Sequence, residues 1–454
     1  LGRIWSGGPE VHADGEIWAQ TLWDLRGAVG VSDARFLITE AMRLSPRNPS
    51  FLDMRNAILQ ANQVGAEGGR TDRRGAIWDV FAGRGMGYFA AVESADDTAP
   101  LESFVAPPDP GDGVGSLAGT VRDADTGAPL AGVRVEFAGL GDLSDTTNAS
   151  GAYSISDVPV GTYPKVVASK TGYTRAVSED VVVAAEAETA LALQLRRDWA
   201  AFSRGGRIHA HTGPDFTAFG CGPAHAIDQS QATGWSSTTG AARSLTVKLP
   251  AFADVVAFGV DPGAICGDDE SASTAGYRIQ TSKTAASGSW TTVKTGAFAL
   301  AEAHALNTIP IAKRKAVRYV RFTITSNHGD PDFMDLAELE VYGKLRPACF
   351  GKPATHLGTS AANVIRGTAG ANVIVGLGGR DRINGRGGKD LICGGDGADR
   401  LTGGGGVDRI DGGAGNDTIY ARDGRKEVTL RGGGGTDRAR RDSFDRTSSV
   451  ERRF

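Results

Sequence analysis

Two features that mark other classes of protein are missing from this chain of 454 residues. No stretch approaches the run of about 20 apolar residues that a membrane-spanning helix needs, so we predict no membrane span. The formal net charge is only −4, and such a balance gives no strong electrostatic preference for nucleic acid. We therefore expect neither an integral membrane protein nor a nucleic-acid-binding protein.

Cysteine is also scarce. The four cysteines are consistent with two disulfides, for which three pairings exist. We predict Cys221–Cys266 and Cys349–Cys393, because each of these pairs would lie within one module, although the sequence alone does not choose among the three. The chain begins at Leu1 and shows no signal peptide, so we expect it to be part of a longer precursor.

Glycine, in contrast, is abundant, with 64 residues, and much of it follows a strict period. From Gly358 to Tyr420 a glycine opens every nonapeptide, Asn or Asp holds the sixth place, and Ile or Leu holds the eighth. Seven units keep this period without slippage, which is typical of a repeat fold. The aliphatic residue is expected to stack inside the fold. The sixth residue offers oxygen, the ligand that calcium prefers.

This pattern resembles the calcium-binding repeats of RTX proteins, and the resemblance implies a parallel β-roll that folds around calcium. The expected ligands are the aspartates of the third to seventh units: Asp381, Asp390, Asp399, Asp408 and Asp417. The first two units carry asparagine instead, so we expect them to form a cap that binds calcium weakly or not at all. Extracellular calcium modules typically bind at about 10⁻⁴–10⁻³ M, and we therefore expect a secreted, extracellular protein.

The end of the chain departs from the acidic composition of most such repeats. Residues 422–454 contain ten basic and six acidic residues, a net charge of +4. We expect this charge either to lower the calcium affinity through repulsion or to contact an anionic surface.

Residues 1 to about 92 show helical periodicity. Trp18, Leu22 and Leu25 fall at i, i+4 and i+7, which predicts a helix over Val11–Leu25 with this stripe buried. Three more helices are predicted, over Asp33–Leu44, over residues 48–65 and over Ala76–Ala82. The third of these should begin with Asn48 as N-cap and Pro49 in the first helical position. We expect Trp23 and Trp78 to belong to the core.

Four stretches of this region resemble the end of the catalytic domain of fungalysin-type metallopeptidases: Glu10–Trp23, Asn48–Phe51, Arg55–Leu59 and Ile77–Gly87. The resemblance implies the helical C-terminal lobe of a thermolysin-like fold. It also implies a role for His12 as a catalytic residue that donates a hydrogen bond to the oxyanion formed during peptide hydrolysis. The alternative is a structural histidine on a helix.

The zinc ligands of that family are not found in this sequence. It contains no H-E-x-x-H motif, and His12 is the only histidine before His209. We expect the zinc ligands to lie upstream of Leu1, and we expect this chain alone not to hydrolyse peptides.

Proline and polar residues dominate residues 95–114, which predicts a linker. Strand alternation follows, for example in Val133–Phe137. Together with Leu117–Val121, Asp125–Pro129 and Gly151–Tyr153, it resembles the regulatory-like domain of carboxypeptidases, a transthyretin-like β-sandwich. We find no nucleophile–base pair or metal cluster there, and we predict a spacer or binding role.

The motifs of residues 198–345 resemble a discoidin (F5/8 type C) jelly roll, a module used for carbohydrate or lipid binding. They include Ala226–Ser236, Leu245–Leu249, Tyr277–Thr281, Ala316–Phe322 and Leu336–Gly343. Many relatives carry one structural calcium, and Asp228, Thr233 and Glu338 match that site. The alternative is that Asp228 only closes a turn.

Three further residues of this module are candidate ligand contacts. They are His209, His211 and Trp235, although for Trp235 we expect a place in the core instead. His209 and His211 have the spacing of a metal pair on one face of a strand, but no third ligand is evident.

The sequence therefore predicts a multidomain α plus β chain. Its parts are a thermolysin-like helical lobe (1–94), a linker (95–114), a transthyretin-like β-sandwich (115–197), a discoidin jelly roll (198–345) and a parallel β-roll (346–454). The predicted function is that of the C-terminal portion of a secreted zinc metalloendopeptidase acting on protein or peptide substrates. Its accessory modules would dock on a polysaccharide or cell-surface ligand. The alternative is a non-catalytic extracellular binding protein that carries a peptidase remnant.

Overall fold

We describe the fold from a computed structural model of the chain. It describes residues 11–95, 97, 99–230, 232–425, 429–443 and 445–453, without the side chains of residues 11–14, 110 and 453. The chain divides into two compact units. One comprises Leu1–Pro250, Val255–Arg314 and Arg318–Lys344, and the other comprises Ala251–Asp254, Lys315–Val317 and Leu345–Phe454.

Four helices open the first unit: α1 (Val11–Val29), α2 (Val31–Leu44), α3 (Phe51–Glu67) and α4 (Arg74–Gly83). Their shared core contains the fully buried Leu25, Ile58, Ile77 and Phe81. Trp18 packs at its edge and stacks on Phe51. The predicted burial of Trp23 is wrong, because this side chain is 62% exposed.

The start of α3 differs from the prediction. Its N-cap is Ser50, two residues after Asn48, and Pro49 therefore lies before the helix. The Ser50 hydroxyl accepts a hydrogen bond from the Asp53 amide at 3.1 Å, and the Asp53 carboxylate accepts one from the Ser50 amide at 2.8 Å. This reciprocal capping box satisfies two N–H groups at once, an advantage that Asn48 does not have.

The β-sandwich follows in the same unit. Its strands are β1 (Val114–Asp123), β2 (Arg134–Phe137), β3 (Leu140–Thr146), β4 (Ala152–Pro159), β5 (Gly161–Ser169), β6 (Ala176–Val183), β7 (Glu188–Ala190) and β8 (Leu193–Leu195), after a short 3₁₀ helix at Pro110–Asp112. One sheet has the order β4-β1-β7 with β8 also on β1, and the other has the order β3-β2-β5-β6. Alternate residues such as Val135 and Phe137 point into the core between them.

A buried arginine joins the helices to the sandwich. The Arg55 guanidinium donates hydrogen bonds to the carbonyl oxygens of Met86 (3.0 Å), Gly87 (2.7 Å) and Gly139 (2.6 Å). It also lies over the ring of Trp78. Burial lowers the pKa of Arg55 to about 10. These neutral acceptors satisfy the donors of a cation that is fully buried.

The segment predicted as a linker is partly paired with the helical region. The Gly87 amide donates to the Ser103 carbonyl at 2.7 Å and the Tyr88 amide to the Val105 carbonyl at 2.7 Å. Ala91 and Leu101 exchange hydrogen bonds in both directions. Residues 101–105 are therefore an extended strip held against residues 86–91.

The jelly roll completes the first unit. Its strands are β9 (Arg207–His211), β10 (Trp235–Thr238), β11 (Arg243–Asp261), β12 (Gly276–Ser282), β13 (Thr291–Ala297), β14 (Asn307–Ile324), β15 (Phe333–Leu336) and β16 (Glu338–Leu345). Short 3₁₀ helices lie at Phe202–Arg204, Thr217–Phe219, Pro223–Ile227, Glu270–Ala272 and Leu300–Glu302. The main sheet has the order β13-β12-β14-β11-β16, with β9 on β11, and β10 pairs with β15.

The second unit is built around the β-roll. Its strands are β17 (Ala348–Cys349), β18 (Lys352–Pro353), β19 (His356–Leu357), β20 (Val364–Arg366), β21 (Val373–Gly378), β22 (Arg382–Asn384), β23 (Leu391–Asp396), β24 (Arg400–Thr402), β25 (Arg409–Ala414), β26 (Thr418–Tyr420), β27 (Thr429–Gly434), β28 (Arg438–Arg440), β29 (Thr447–Ser448) and β30 (Arg452–Arg453). Odd-numbered strands from β19 to β29 form one parallel sheet, and even-numbered strands from β20 to β30 form the other.

Each coil of the roll thus uses two nonapeptides, one per sheet. The eighth residues of neighbouring coils are in register, for example Ile383 with Leu401 and Ile374 with Ile392. These side chains are buried between the two sheets. The repeat period therefore specifies the core of the roll.

Both predicted disulfides are confirmed. Cys221 is bonded to Cys266 in the jelly roll, and Cys349 is bonded to Cys393, which ties the lead-in of the roll to strand β23. The predicted combination of helical, sandwich, jelly-roll and β-roll parts is also confirmed. The proposed domain boundaries at residues 94, 114, 197 and 345 stay predictions.

Candidate functional site

The predicted calcium ligands of the roll form a buried ladder. One carboxylate oxygen of each aspartate accepts a hydrogen bond from a backbone N–H one coil earlier. The Asp381 amide donates to Asp399 Oδ1 at 2.8 Å, and the Asp399 amide donates to Asp417 Oδ1 at 2.8 Å. Asp390 donates in the same way to Asp408 at 2.9 Å. All five predicted aspartates are therefore placed at equivalent positions in successive turns.

The second oxygen of most of these aspartates has no such partner. Oδ2 is buried and makes no hydrogen bond in Asp381, Asp390, Asp399 and Asp417. Burial raises the pKa of Asp390 and Asp399 to about 6 and that of Asp417 to about 7. Burial also raises the pKa of Asp408. A bound cation would give the unpaired oxygens a partner and would lower the free-energy cost of burying their charge.

The conserved spacing between glycine and aspartate has a steric cause. A Cβ on Gly394, the first residue of its unit, would lie 2.3 Å from Asp399 Oδ2. Gly395, the next residue, has φ +112°, and a Cβ there would lie 2.1 Å from the Leu377 carbonyl oxygen of the previous coil. Only glycine lets the turns stack this closely with the carboxylate above them.

The first two units differ from the later ones in how the sixth side chain is paired, and their role as a cap stays a prediction. In Asn363, Oδ1 accepts a hydrogen bond from the Thr359 amide of its own turn at 2.6 Å. In Asn372, Oδ1 accepts one from the Thr368 amide at 2.8 Å. Their amide nitrogens donate to the same threonines at 3.1 Å and 3.0 Å. These side chains are satisfied within their turns, unlike the aspartates that follow them.

One aspartate was not among the predicted ligands. Asp437 Oδ1 accepts from the Asp417 amide at 2.8 Å, and its Oδ2 is buried without a partner. Asp437 therefore occupies a sixth place in the ladder. Its signal in the sequence is the motif Gly432–Asp437, which returns after an insertion of two residues and so falls outside the strict period.

Calcium takes six to eight oxygen ligands. Among the described residues, no group of three or more His, Cys, Asp or Glu side chains is close enough to hold a metal. A calcium ion in the roll would thus draw on one carboxylate oxygen per turn together with backbone carbonyls of the glycine turns. The unpaired Oδ2 atoms and the absence of a Cβ beside them fit this ligand set.

The jelly-roll candidates are brought close together but differ in their partners. Asp228 accepts hydrogen bonds from the Thr233 hydroxyl at 2.9 Å and from the Ser230 amide at 3.0 Å, and it contacts His225 Nδ1 at 3.0 Å. These contacts close a turn, as the alternative interpretation expected. Glu338 Oε2 accepts from the Gln229 amide, next to Asp228, at 2.8 Å.

Glu338 nevertheless has the character of a cation ligand. Its second oxygen, Oε1, is buried without a hydrogen-bond partner. Burial, then the neighbouring Glu340, Asp198 and Asp228, raise the pKa of Glu338 well above its ordinary range. Of the three predicted residues, Glu338 alone has a carboxylate oxygen left over for a metal.

Two buried acids near Glu338 were not identified from the sequence. Asp198 accepts hydrogen bonds from the amides of Ala200 and Val341, both at 2.8 Å, and Glu340 accepts from the Tyr342 hydroxyl at 2.7 Å. Burial raises the pKa of both carboxyls. Glu340 also accepts a hydrogen bond from Thr174 of the sandwich. Glu340 and Glu338 line a cavity of 1030 Å³ to which residues of both modules contribute.

The three candidate ligand contacts of the jelly roll, His209, His211 and Trp235, lie in different surroundings. Trp235 is fully buried and is a core residue. His209 is exposed and packs on Tyr319, with ring centroids 4.9 Å apart. His211 Nε2 lies 4.0 Å from Asp215 Oδ2. The two histidines share no third metal ligand within the described residues.

His12 lies in the first turn of α1, but its side chain lies outside the described part of the chain. The structure therefore does not place its imidazole. Across the described ranges no cluster of potential zinc ligands occurs. The described residues do not form a zinc site, and we derive no catalytic step through zinc.

Four family models match successive parts of the chain. Residues 3–90 match the fungalysin metallopeptidase (M36) family, and residues 116–196 match the carboxypeptidase regulatory-like domain. Residues 211–339 match the F5/8 type C domain. Residues 357–392 and 394–425 match the RTX calcium-binding nonapeptide repeat. The resemblances found in the sequence are confirmed in the same order, and these families imply zinc and calcium as cofactors.

Curated relatives match only the start of the chain. An extracellular metalloproteinase, mep, of Aspergillus flavus is 35% identical over 112 residues, which is 20% of this chain and 16% of that protein. Extracellular metalloproteinase 3 of Trichophyton soudanense is 33% identical over 110 residues, 20% of this chain and 27% of that protein. The chain thus spans a minor part of the length of the relatives that it matches.

Solved structures match about a third of the chain. CBM32-3 from a family 31 glycoside hydrolase of Clostridium perfringens is 25% identical, with a TM-score of 0.25, over 31% of this chain and 91% of that one. A family 32 carbohydrate-binding module from Streptococcus pneumoniae EndoD is 20% identical, with a TM-score of 0.27, over 32% of this chain and 99% of that one.

The helices give no sign of a membrane span: within the described residues, none combines the length and the apolar character that crossing a bilayer requires. In chain order, the protein joins a fungalysin-type segment, a carboxypeptidase regulatory-like domain, an F5/8 type C domain and RTX calcium-binding repeats.

Proposed function

We propose that this chain is the C-terminal portion of a secreted zinc metalloendopeptidase that hydrolyses extracellular proteins. The observation that carries the proposal is the match of residues 3–90 to the fungalysin family, in a region that folds as four packed helices. The zinc ligands would come from residues outside this chain. When bound, zinc would supply Lewis-acid chemistry at the scissile peptide bond.

In this proposal His12 donates a hydrogen bond to the oxyanion that develops on the peptide carbonyl. Its place in the first turn of α1 puts it on a rigid element, and the core residue Leu25 anchors the same helix. Loss of one oxyanion donor typically lowers kcat by about 10²–10³-fold. Substrate binding by the rest of the cleft would change less.

The experiment uses the reading frame extended upstream of Leu1. If that frame encodes H-E-x-x-H, the extended protein should cleave casein in a chelator-sensitive reaction. His12→Ala should lower kcat by about two to three orders of magnitude with a small change in KM. Gln20→Ala is the matched control, because Gln20 is an exposed residue of the same helix. Full activity of the His12 variant would refute the catalytic role.

The chain of 454 residues on its own should show no chelator-sensitive proteolysis, since it lacks the zinc motif. Measured cleavage that zinc chelators abolish would contradict this expectation. It would also require a zinc site that is built without the H-E-x-x-H motif and that lies outside the described residues.

We further propose that the other modules position the enzyme. The F5/8 type C segment would bind a polysaccharide or cell-surface ligand, with Glu338, Asp228 and Thr233 holding a structural calcium. Glu338 is the strongest of these, because its Oε1 is buried and unpaired. Calcium should raise the melting temperature of the jelly roll in the wild type but not in Glu338→Gln. An equal shift in both proteins would remove Glu338 from the site.

We also propose that Asp381, Asp390, Asp399, Asp408 and Asp417 hold calcium in the roll, so that the roll is completed in the calcium-rich space outside the cell. The ladder of unpaired Oδ2 atoms supports this assignment. Isothermal titration of calcium into the chain should give several sites with affinities of about 10⁻⁴–10⁻³ M. Absence of calcium binding at millimolar concentration would refute it.

A second candidate is a non-catalytic extracellular binding protein with a peptidase remnant. The matches of residues 211–339 to the F5/8 type C domain and of residues 357–392 and 394–425 to the RTX repeat favour it. An upstream frame without any zinc motif would decide for this candidate.

A further inference from the structure

One face of the roll carries arginines in register. It is the sheet of the even-numbered strands β20 to β30, and we call it the arginine face. Arg382 pairs with Arg400, Arg400 with Thr418, Thr418 with Arg438, and Arg438 with Arg452 in successive parallel strands. Neighbouring strands lie about 4.8 Å apart, so this column repeats a cation at intervals of roughly 5 or 10 Å.

A second column, two residues further along each strand, adds Arg366 and Arg440. All six side chains are exposed: Arg366, Arg382, Arg400, Arg438, Arg440 and Arg452. The described residues of these six strands include no acidic side chain. The arginine face is thus a flat surface whose exposed charges all have one sign.

Three aspartates that directly precede arginines of the column are buried: Asp381, Asp399 and Asp437. Three other acidic side chains are held in the adjoining turns. Glu451 accepts a hydrogen bond from the Asp437 amide at 2.7 Å. Asp423 accepts one from the Gly406 amide at 3.0 Å, and Asp442 accepts one from the Gly424 amide at 2.8 Å. These acids stabilise turns of the roll, so the charge of the face is left for an external partner.

The geometry restricts the class of partner. A guanidinium binds carboxylate in a planar, two-pronged arrangement, and a straight column of them fits a linear chain with regularly spaced carboxylates. Proteins that bind single-stranded nucleic acid add aromatic platforms for the bases. Tyr420 is the one aromatic residue in the described part of these strands, and the guanidinium of Arg400 already lies over its ring at 4.4 Å.

We propose that the arginine face binds a linear acidic polysaccharide through its carboxylates. The column of Arg382, Arg400 and Arg438 tracks the carboxylates along the polymer, and Arg366, Arg440 and Arg452 widen the contact. This site is separate from the buried aspartates, which face the interior of the turns, and it does not depend on the peptidase activity. Its strands exist in register only in the folded roll, so binding is measured in millimolar calcium.

The test measures binding of a fluorescent hyaluronan oligosaccharide to the full chain by anisotropy. Hyaluronan is linear and carries one carboxylate per disaccharide. The triple variant Arg382→Gln, Arg400→Gln, Arg438→Gln should weaken binding by about tenfold, as expected for three solvent-exposed charge contacts. Raising the salt concentration should weaken binding of hyaluronan by the wild type, because salt screens the charge contacts. An unchanged dissociation constant in the triple variant would overturn the proposal.

The matched control removes three exposed cations elsewhere, with Arg35→Gln, Arg47→Gln and Lys248→Gln. It should change the dissociation constant by less than about twofold, because these residues are not part of the arginine face. A loss of affinity equal to that of the triple variant would overturn the proposal, since net charge alone would then explain binding. If the glutamine variant fails to fold, the triple Arg→Lys variant keeps the charge. It should bind more weakly than the wild type, because lysine lacks the two-pronged geometry.

Three further probes separate the classes of partner. An oligodeoxythymidylate of equal charge and vesicles containing phosphatidylserine should bind more weakly than hyaluronan, and neutral dextran should not bind. Tighter binding to the oligonucleotide or to the vesicles than to hyaluronan would overturn the polysaccharide assignment.

Discussion

Replacing Asp399 by asparagine should separate the two roles that its carboxylate plays. In the calcium-free roll, the raised pKa means that ionised Asp399 opposes folding. A rise from the ordinary value of 3.8 to about 6 corresponds to about 3 kcal/mol at pH values above both. This penalty is small at pH 4 and disappears at lower pH, where the carboxyl is protonated in both the folded and the unfolded state.

The asparagine variant removes this penalty but introduces a different one. Its amide nitrogen would occupy the place of Oδ2, where the side chains Asn363 and Asn372 find a threonine but position 399 finds Gly395. An unpaired buried amide costs about 1–3 kcal/mol. At pH 8 the calcium-free variant should therefore range from equal to the wild type to about 2 kcal/mol more stable.

The cost of the amide does not depend on pH, whereas the cost of the carboxylate does. The stability of Asp399→Asn relative to the wild type should thus increase by about 2–3 kcal/mol between pH 4 and pH 8 without calcium. With calcium at pH 8 the order should reverse, because the variant has lost a ligand. Native-state hydrogen exchange of peptides from residues 391–420, read by mass spectrometry in the full chain, measures these differences locally.

Two outcomes would refute this reasoning. Relative stability that stays constant from pH 4 to pH 8 would show that the Asp399 carboxylate is not desolvated in the calcium-free roll. A calcium response equal to that of the wild type would show that Asp399 is not a ligand. The variant Asp396→Asn is the control, since Asp396 belongs to the same nonapeptide but ends strand β23 and is exposed.

Three other perturbations test the roll and the helical lobe. Removing calcium at pH 8 should reduce hydrogen-exchange protection in the roll. Lowering the pH to 5 should partly restore this protection. The reason is that burial raises the pKa of Asp417 to about 7, and the protonated carboxyl is less costly to bury than the ionised one. Failure of acid to restore protection would contradict that cause. Gly394→Ala should destabilise the roll by about 1–3 kcal/mol, because its Cβ would meet Asp399 Oδ2 at 2.3 Å, whereas Gly405→Ala has nothing within 4 Å and should be neutral in urea unfolding. Arg55→Met should lower the unfolding free energy of the helical lobe by about 1–3 kcal/mol, since it removes the guanidinium hydrogen bonds to the carbonyls of Met86, Gly87 and Gly139. The carbonyls of Gly87 and Gly139 keep hydrogen bonds from the Ala90 amide and the Asn56 side chain. A cost similar to that of the exposed Arg35→Met would show that the Arg55 hydrogen bonds contribute little.

The sequence predicts the roll well, because the nine-residue period of the sequence is also the repeat of the structure. A residue that recurs every nine positions must occupy the same place in each half-coil, so Asp390 and Ile392 could be assigned without a structure. Asp437 was missed because an insertion of two residues breaks the period while the coil itself continues.

Other features depend on partners that are remote in sequence. In the sequence, Arg55 has no feature that predicts burial. Its partners, the carbonyls of Met86 and Gly139, are remote in the chain and are known only from the structure. The burial of Asp198 and Glu340 likewise results from tertiary packing. At α3, two overlapping signals compete, and the capping box of Ser50 prevails over the earlier Asn48. The exposure of Trp23 also follows from packing, since its hydrophobicity alone predicted burial.

The central structural claim is that cations complete the buried aspartate ladder. Crystals of the chain grown in calcium, measured by anomalous diffraction, test it most directly. We predict anomalous peaks beside the Oδ2 atoms of Asp390, Asp399, Asp408 and Asp417, each with backbone carbonyl oxygens in its shell. Ordered turns with no anomalous peak at those oxygens in millimolar calcium would contradict the claim.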